Sequence, residues 1–359
     1  MKPLHLALQG GGSHGAFTWG VLDAILEARA VIPVLTGSSA GAVNAVALAS
    51  GWSVAARSGA DRQTGAREAL RRVWEEVMGL GVYGSVQRQW LSAWVGTASL
   101  IGWPGGPALS FHPLQNLLQR HVDFAALQDS RAPAVHLGAT HVRSGRAKIF
   151  RGTEVTLDAV LASTCLPTLF PTALVDGEAY WDGGYSINPP LSPFLAIDGP
   201  IDVLLVQINP MCSAVPASMH DVQQRAQELA FNASLLSQVR TVAHANQLVA
   251  LGLLPARRLI RLHRIGGSEE LLRFPPSSRA SADAGMILEL FSLGREAAAR
   301  WIAAHAADVG IRATLDAQDY ADDTWLRLGA LASGAGSWRQ RAIARWRGML
   351  EALRHRARK

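Results

Sequence analysis

The stretch Leu35-Thr36-Gly37-Ser38-Ser39-Ala40-Gly41-Ala42 follows an apolar run, Val31 to Leu35, and leads into a helix-forming run. A strand that turns sharply into a helix holds the middle serine, Ser39, at its tip. Gly37 and Gly41 flank that serine, so the chain can turn tightly and a substrate can come close. The helix that follows aims its positive end at the same point, where an oxyanion would form. Alone, Gly-x-Ser-x-Gly also fits an ordinary small-residue turn, and other parts of the chain must decide between the two.

Upstream, Leu4 to Leu8 reads as a buried strand that ends in Gln9-Gly10-Gly11-Gly12-Ser13-His14-Gly15. A helix follows from Ala16 to Ala30, with Val21, Ile25 and Leu26 on one face. A glycine loop between strand and helix is an anion site, because its free N–H groups converge. Gly10-x-Gly12-x-x-Gly15 also fits the dinucleotide fingerprint. That fingerprint expects an acidic residue about 20 positions on, at the end of the second strand. Here the second strand ends in Thr36-Gly37-Ser38-Ser39, and the nearby acids Asp23 and Glu27 fall inside the helix.

After Ser39 the pattern predicts a helix from Gly41 to about Ala49, broken at Gly51-Trp52, and another from Gln63 to Gly79. Val82 to Phe111 carries Tyr83, Trp90, Trp94, Trp103 and Phe111 with Arg88 as its only charge. It reads as a hydrophobic cap on the core or as an acyl-chain pocket, and both readings can hold together. Ala134–Val142 and Arg146–Arg151 read as a strand pair around Ser144-Gly145. A short strand at Ala173–Val175 precedes Tyr180-Trp181-Asp182-Gly183-Gly184-Tyr185-Ser186-Ile187-Asn188-Pro189-Pro190. Asp182 before two glycines is either a plain turn or a carboxylate held on an uncrowded loop. Ile201 to Ile208 is a buried strand. Met219 to Leu248 shows a helical stripe through Val222, Ala226, Leu229, Ala233, Leu236 and Val239. Leu259–Ile265 reads as a strand or extended arm, and Ala280–Ala307 as a helix. The end of the chain, Trp338 to Lys359, is a basic amphipathic pattern suited to an anionic membrane or to docking on the body.

The 359 residues are 49% hydrophobic, enough for a large core, which excludes wholesale disorder. A net charge of +6 and a pI near 9.9 favour anionic surfaces, but no nucleic-acid motif accompanies them. The two cysteines, Cys165 and Cys212, fit a reducing compartment and lack metal-ligand spacing, so no metal is expected. No apolar run approaches the ~20 residues of a membrane span, and no secretion signal opens the chain. The expectation is a cytoplasmic protein, soluble or peripheral on membrane or lipid surfaces.

Gly10-Gly11-Gly12-Ser13-His14-Gly15, Gly37-Ser38-Ser39-Ala40-Gly41 and Asp182-Gly183-Gly184 stand in a fixed order, with Ala162 to Pro171 ending Leu-Phe-Pro between them. Together they resemble the patatin-like phospholipase family, from Leu4 to about Ile208. The stretch Gly310 to Asp316 looks like a bacterial subgroup with a helical C-terminal extension. The resemblance implies a three-layer α/β/α fold with a mostly parallel central sheet. It implies a catalytic core over residues 1–210, a helical extension over 211–320 packed on it, and a basic tail over 321–359.

The resemblance also implies a serine lipid acyl hydrolase working without a cofactor on lipid or fatty-acyl esters. Ser39 would be the nucleophile, Asp182 its partner in a dyad, and Gly10, Gly11 and Gly12 the oxyanion loop. Burial beside Trp181 and Tyr185 would make Asp182 a better base. His14, Ser38 and Trp94 are further candidates for substrate contact. His14 departs from the family, which commonly has Arg or Lys there, and is mostly neutral at pH 7. Of the later histidines, His220, His244 and His305 fall in helical patterns, and His263 in the arm is the remaining candidate for a catalytic histidine. The alternative is a catalytically weak protein that keeps the fold and binds lipid or granule surfaces.

Overall fold

The computed structural model describes residues 2–79, 112, 114–167, 169–211, 215–266, 269–274, 278–279, 281–316 and 320. Trp94 and the rest of Val82 to Phe111, and the tail from Trp338 to Lys359, lie outside these residues. Eight strands form one sheet: β1 (His5–Leu8), β2 (Val34–Ser38), β3 (Ala134–His141), β4 (Ala147–Arg151), β5 (Ala173–Val175), β6 (Glu178–Asp182), β7 (Ile201–Gln207) and β8 (Ile260–Gly266). The helices are α1 (Gly15–Glu27), α2 (Ala40–Ser58), α3 (residues 62–79), α4 (Leu114–His121), α5 (Leu157–Ser163), α6 (Met219–Ala250) and α7 (Ala284–His305).

The sheet order is β5-β6-β3-β2-β1-β7-β8, with β4 joined to β3. From β3 to β8 every neighbour is parallel, while β4, β5 and β6 are antiparallel additions at the other end. Side chains alternate across a strand. Leu6, Leu8, Leu204 and Val206 therefore enter one core with α1, α2 and α7. Ala7, Val203 and Leu205 enter a second core with Leu235, Val239 and Val242 of α6. The two cores on opposite faces make the fold a three-layer α/β/α sandwich around a mostly parallel sheet.

Three expectations change. Helix α2 runs through Gly51 instead of stopping there. Gly51 is where α3 crosses, and a Cβ on it would lie 2.5 Å from the Ala69 Cβ. The stripe read along α6 faces outward over its first part, where Val222 and Leu229 are 45% and 53% exposed, and only at Leu236 and Val239 does it reach the core. The buried side instead carries Glu228, Phe231, Asn232, Leu235, Val239 and Val242. Its polar members bond to loops, so polarity marks the inner face there. The extension is also not purely helical, since β8 pairs with β7 over its whole length and widens the sheet.

Asp23 and Glu27, the acids inside α1, are ion-paired to Arg67 of α3 and Arg295 of α7. They tie three helices together, away from the role a ribose anchor would need. Among the described residues no helix is long and apolar enough to cross a membrane.

Candidate active site

The register of β3 brings the site together. Ser38, the last residue of β2, pairs with Gly138. Asp182, the last residue of β6, pairs with the next residue, Ala139. The two strands run in opposite directions along β3 and meet end to end, so Ser39 and Asp182 converge on one point. Gly138 and Gly183 line that junction, and a Cβ on Gly138 would lie 2.5 Å from Ser38 Oγ.

Ser39 has φ 54° and ψ −126°, outside the ordinary regions for an L-residue, at a conformational cost of about 1–3 kcal/mol. Ser163, the last residue of α5, holds this turn. Ser39 N–H donates to the Ser163 carbonyl at 3.1 Å and to Ser163 Oγ at 3.0 Å. Ser163 Oγ in turn donates to the Gly138 carbonyl at 2.6 Å. Helix α2 starts at Ala40, so its N-terminus points at the site.

Asp182 is 1% exposed. Its N–H donates to the Cys165 carbonyl at 2.8 Å, and Oδ1 accepts from Gly184 N–H at 2.7 Å. Oδ2 is sealed from water with no aligned donor. Burial raises the carboxyl to about 6, held back by the Gly184 N–H and by the nearby Ser39 hydroxyl. The direction is the one expected of a base adapted to neutral pH. Tyr185 lies in the half-turn that follows Asp182 and packs edge-on against Phe231 of α6, with ring centroids 5.5 Å apart.

The glycine loop lies against the serine: a Cβ on Gly10 would fall 2.6 Å from Ser39 Cβ. Gly10 N–H donates to Asn188 Oδ1 at 2.7 Å, and the Gly10 carbonyl accepts from Asn209 Nδ2 at 2.8 Å. Its amide is thus engaged, which corrects the expectation that Gly10 donates to an oxyanion; its part is to leave room. Among the described hydrogen bonds the N–H groups of Gly11 and Gly12 have no acceptor. Gln9 fixes the base of the loop, its Oε1 accepting from the N–H groups of Ile208 and Asn209 at 3.0 and 2.9 Å.

Two candidate contacts point elsewhere. Ser38 is fully buried, and its hydroxyl donates to the Ile187 carbonyl at 2.5 Å. His14 is 2% exposed, 2.8 Å from Ser278 Oγ through Nε2, and burial lowers it to about 3 with the Arg279 charge adding to the fall. Both brace the site from behind. His263 lies inside β8, bonded to Asp202 and Thr314 at 3.0 and 2.9 Å, and packs against Trp301. None of these partners belongs to the Ser39 site. Ser163, Asn188 and Asn209 were missed as site residues. Ser163 and Asn188 lie in stretches that the sequence already marks, and Asn209 follows the last residue of the Ile201–Ile208 run.

A family model described as patatin-like phospholipase matches residues 6–195, more than half of the 359. The chain belongs to the patatin-like phospholipase family. No curated protein matches its sequence. Among solved structures it is similar to the crystal structure of VipD from Legionella pneumophila, at 12% identity and a TM-score of 0.33. That match covers 81% of this chain and 66% of the other. The family is described by a hydrolase activity on lipids. The matched span includes Gly10, Ser39 and Asp182 and stops before α6, β8 and α7.

Proposed function

We propose that the protein is a serine lipid acyl hydrolase of the phospholipase A or esterase type, using Ser39 and Asp182. The observation that carries this reading is a carboxylate sealed beside the strained Ser39, with one oxygen lacking an aligned donor. Ser39 Oγ attacks the ester carbonyl carbon while its proton passes to Asp182 Oδ2. The carbonyl oxygen becomes an oxyanion, and the N–H groups of Gly11 and Gly12 are the donors available to it. Collapse of the intermediate expels the alcohol, which takes the proton from Asp182. Water then attacks the acyl-enzyme as Asp182 accepts its proton, and Ser39 is restored as the acid leaves. Holding the reacting groups together supplies much of what a carboxylate lacks as a base.

The test is hydrolysis of p-nitrophenyl esters of rising chain length by wild type, Ser39→Ala and Asp182→Asn. Activity that rises with chain length and falls at least about 10³-fold in each variant is expected, on the scale seen when members of catalytic units are removed. Turnover by folded Ser39→Ala at the wild-type rate overturns the reading. Labelling of Ser39 by a fluorophosphonate separates a catalytic serine from a surface-binding role.

A further inference from the structure

Ser278 and Arg279, which precede α7, lie across the glycine loop. Ser278 Oγ is 2.8 Å from His14 Nε2. The Arg279 carbonyl sits so close over Gly12 (φ +59°) that a Cβ at that glycine would collide with it. The Arg279 side chain then reaches α6, where Nη2 donates to Glu228 Oε1 at 2.9 Å. Arg225 Nη1 donates to Glu228 Oε2 at 3.2 Å, and Arg225 Nη2 to the Met211 carbonyl at 3.1 Å. The three side chains are only 19%, 9% and 15% exposed for Arg225, Glu228 and Arg279.

Two guanidiniums thus share one carboxylate, and among the described side chains the cluster keeps one positive charge in excess. Arg279 Nε is moreover buried with no acceptor. A poorly solvated surplus charge and an orphaned donor both destabilise a fold. Negative charge forming nearby would offset both costs. The neighbouring element on which chemistry would create such charge is the glycine loop.

We propose that Arg279 is a positioning residue for the oxyanion loop: its main chain holds Gly12, and its guanidinium supplies a fixed positive field behind the Gly11 and Gly12 N–H groups. The inference rests on the Ser39 reading above, and it gives the region beyond residue 210 a part in the chemistry. The same field is felt at His14, where the Arg279 charge adds to burial in opposing protonation. A field that disfavours a proton on this loop favours an anion on it.

The experiment compares full-length wild type, Arg279→Gln, Arg279→Lys and Ser39→Ala. The readouts are kcat, KM for a neutral p-nitrophenyl ester, thermal midpoint, and Ki for an alkylboronic acid, which forms an anionic tetrahedral adduct with a serine. Removing a direct oxyanion donor costs about 10²–10³ in kcat; a charge acting through the loop is expected to cost roughly 10–100-fold. Arg279→Gln should show that loss with KM within about threefold, and its Ki should weaken in step with kcat/KM. Arg279→Lys, which keeps the charge, should stay within about fivefold of wild type on the same scale. Wild-type kcat and Ki in folded Arg279→Gln overturn the proposal. So does an equal loss in both variants with the thermal midpoint unchanged, because charge would then not be the cause. If Arg279→Gln does not fold, a loss of about 100-fold in folded Arg279→Lys overturns it as well. An inert Ser39→Ala beside an unaffected Arg279→Gln removes this inference alone, whereas an active Ser39→Ala removes both.

Discussion

A carboxyl group sealed from water resists ionisation, and burial lifts Asp182 to about 6. Used as a base it must be ionised, so kcat/KM should rise with pH to a plateau with its midpoint near 6, falling about tenfold per pH unit below that. His14 and His112 stay neutral through this window, lowered by burial to about 3 and about 4, so neither accounts for the limb. A pH–rate profile with its acid midpoint near 4 would show that Asp182 is not held as described. The same burial has a stability consequence of opposite sign. The folded state binds the Asp182 proton more tightly than the unfolded chain does. Ionised Asp182 therefore destabilises the fold above pH 6, and the penalty fades as pH falls toward 4. Asp182→Asn keeps an acceptor for Gly184 N–H and carries no charge. It should be inactive yet more stable, by about 3 kcal/mol at pH 8 and by under about 1 kcal/mol at pH 4, read from urea unfolding midpoints.

The end-to-end meeting of β2 and β6 on β3 leaves no room for side chains at the junction. A Cβ at Gly138 would press on Ser38 Oγ at 2.5 Å and on Ile187 Cγ2 at 2.8 Å. Gly138→Ala should therefore destabilise the protein by about 1–3 kcal/mol, the usual range for overpacking. It should also lower kcat by more than tenfold, because a displacement of about 1 Å in reacting groups can cost 10²-fold. A folded Gly138→Ala with full activity would show that the junction tolerates spreading. What the chain reveals about these elements follows from how local each signal is. β1 with its glycine loop, and β2 with the Ser39 turn, are each contained in about ten consecutive residues, and both are legible as strand, turn and helix. The convergence of Asp182 on Ser39 depends on antiparallel pairing of β6 with β3, a contact between segments some 40 residues apart. No local pattern encodes that pairing, and only the family resemblance anticipated it. The α6 stripe misleads over its first part for a physical reason: there the inner face includes Glu228 and Asn232, which bond to Arg279 and to the Pro210 carbonyl, so hydrophobic periodicity selects Val222 and Leu229 on the outer side.

Over the whole molecule, the later elements close the architecture that the first 210 residues begin. β8 completes the sheet, α7 packs on α1, and the 278–279 segment covers the glycine loop. Sequence periodicity found α7 as a helix, but its docking rests on close approach, as Gly20 of α1 and Gly294 of α7 meet the opposing backbone where any side chain would clash. The assembly also buries His5, His14 and His263 and partly buries His112 and His136, and desolvation lowers all five below their ordinary value. A histidine depressed in the fold gives stability that is complete above the unfolded value of 6.5 and is lost as pH falls toward its folded value. At pH 4.5 His14 and His112 together should forfeit on the order of 5 kcal/mol, while the relief of Asp182 returns about 2. The net loss between pH 7 and pH 4.5 is then about 3 kcal/mol before the other three histidines are counted, a large share of the 5–15 kcal/mol typical of a folded protein. Urea unfolding at the two pH values measures it. His14→Gln, whose amide can still reach Ser278 Oγ, should remove about 2–3 kcal/mol of the pH dependence while changing stability at pH 7 far less. Equal midpoints for wild type at pH 7 and pH 4.5 would mean that these histidines gain their protons within the folded state, and that the packing around His14 and His112 opens to let them do so.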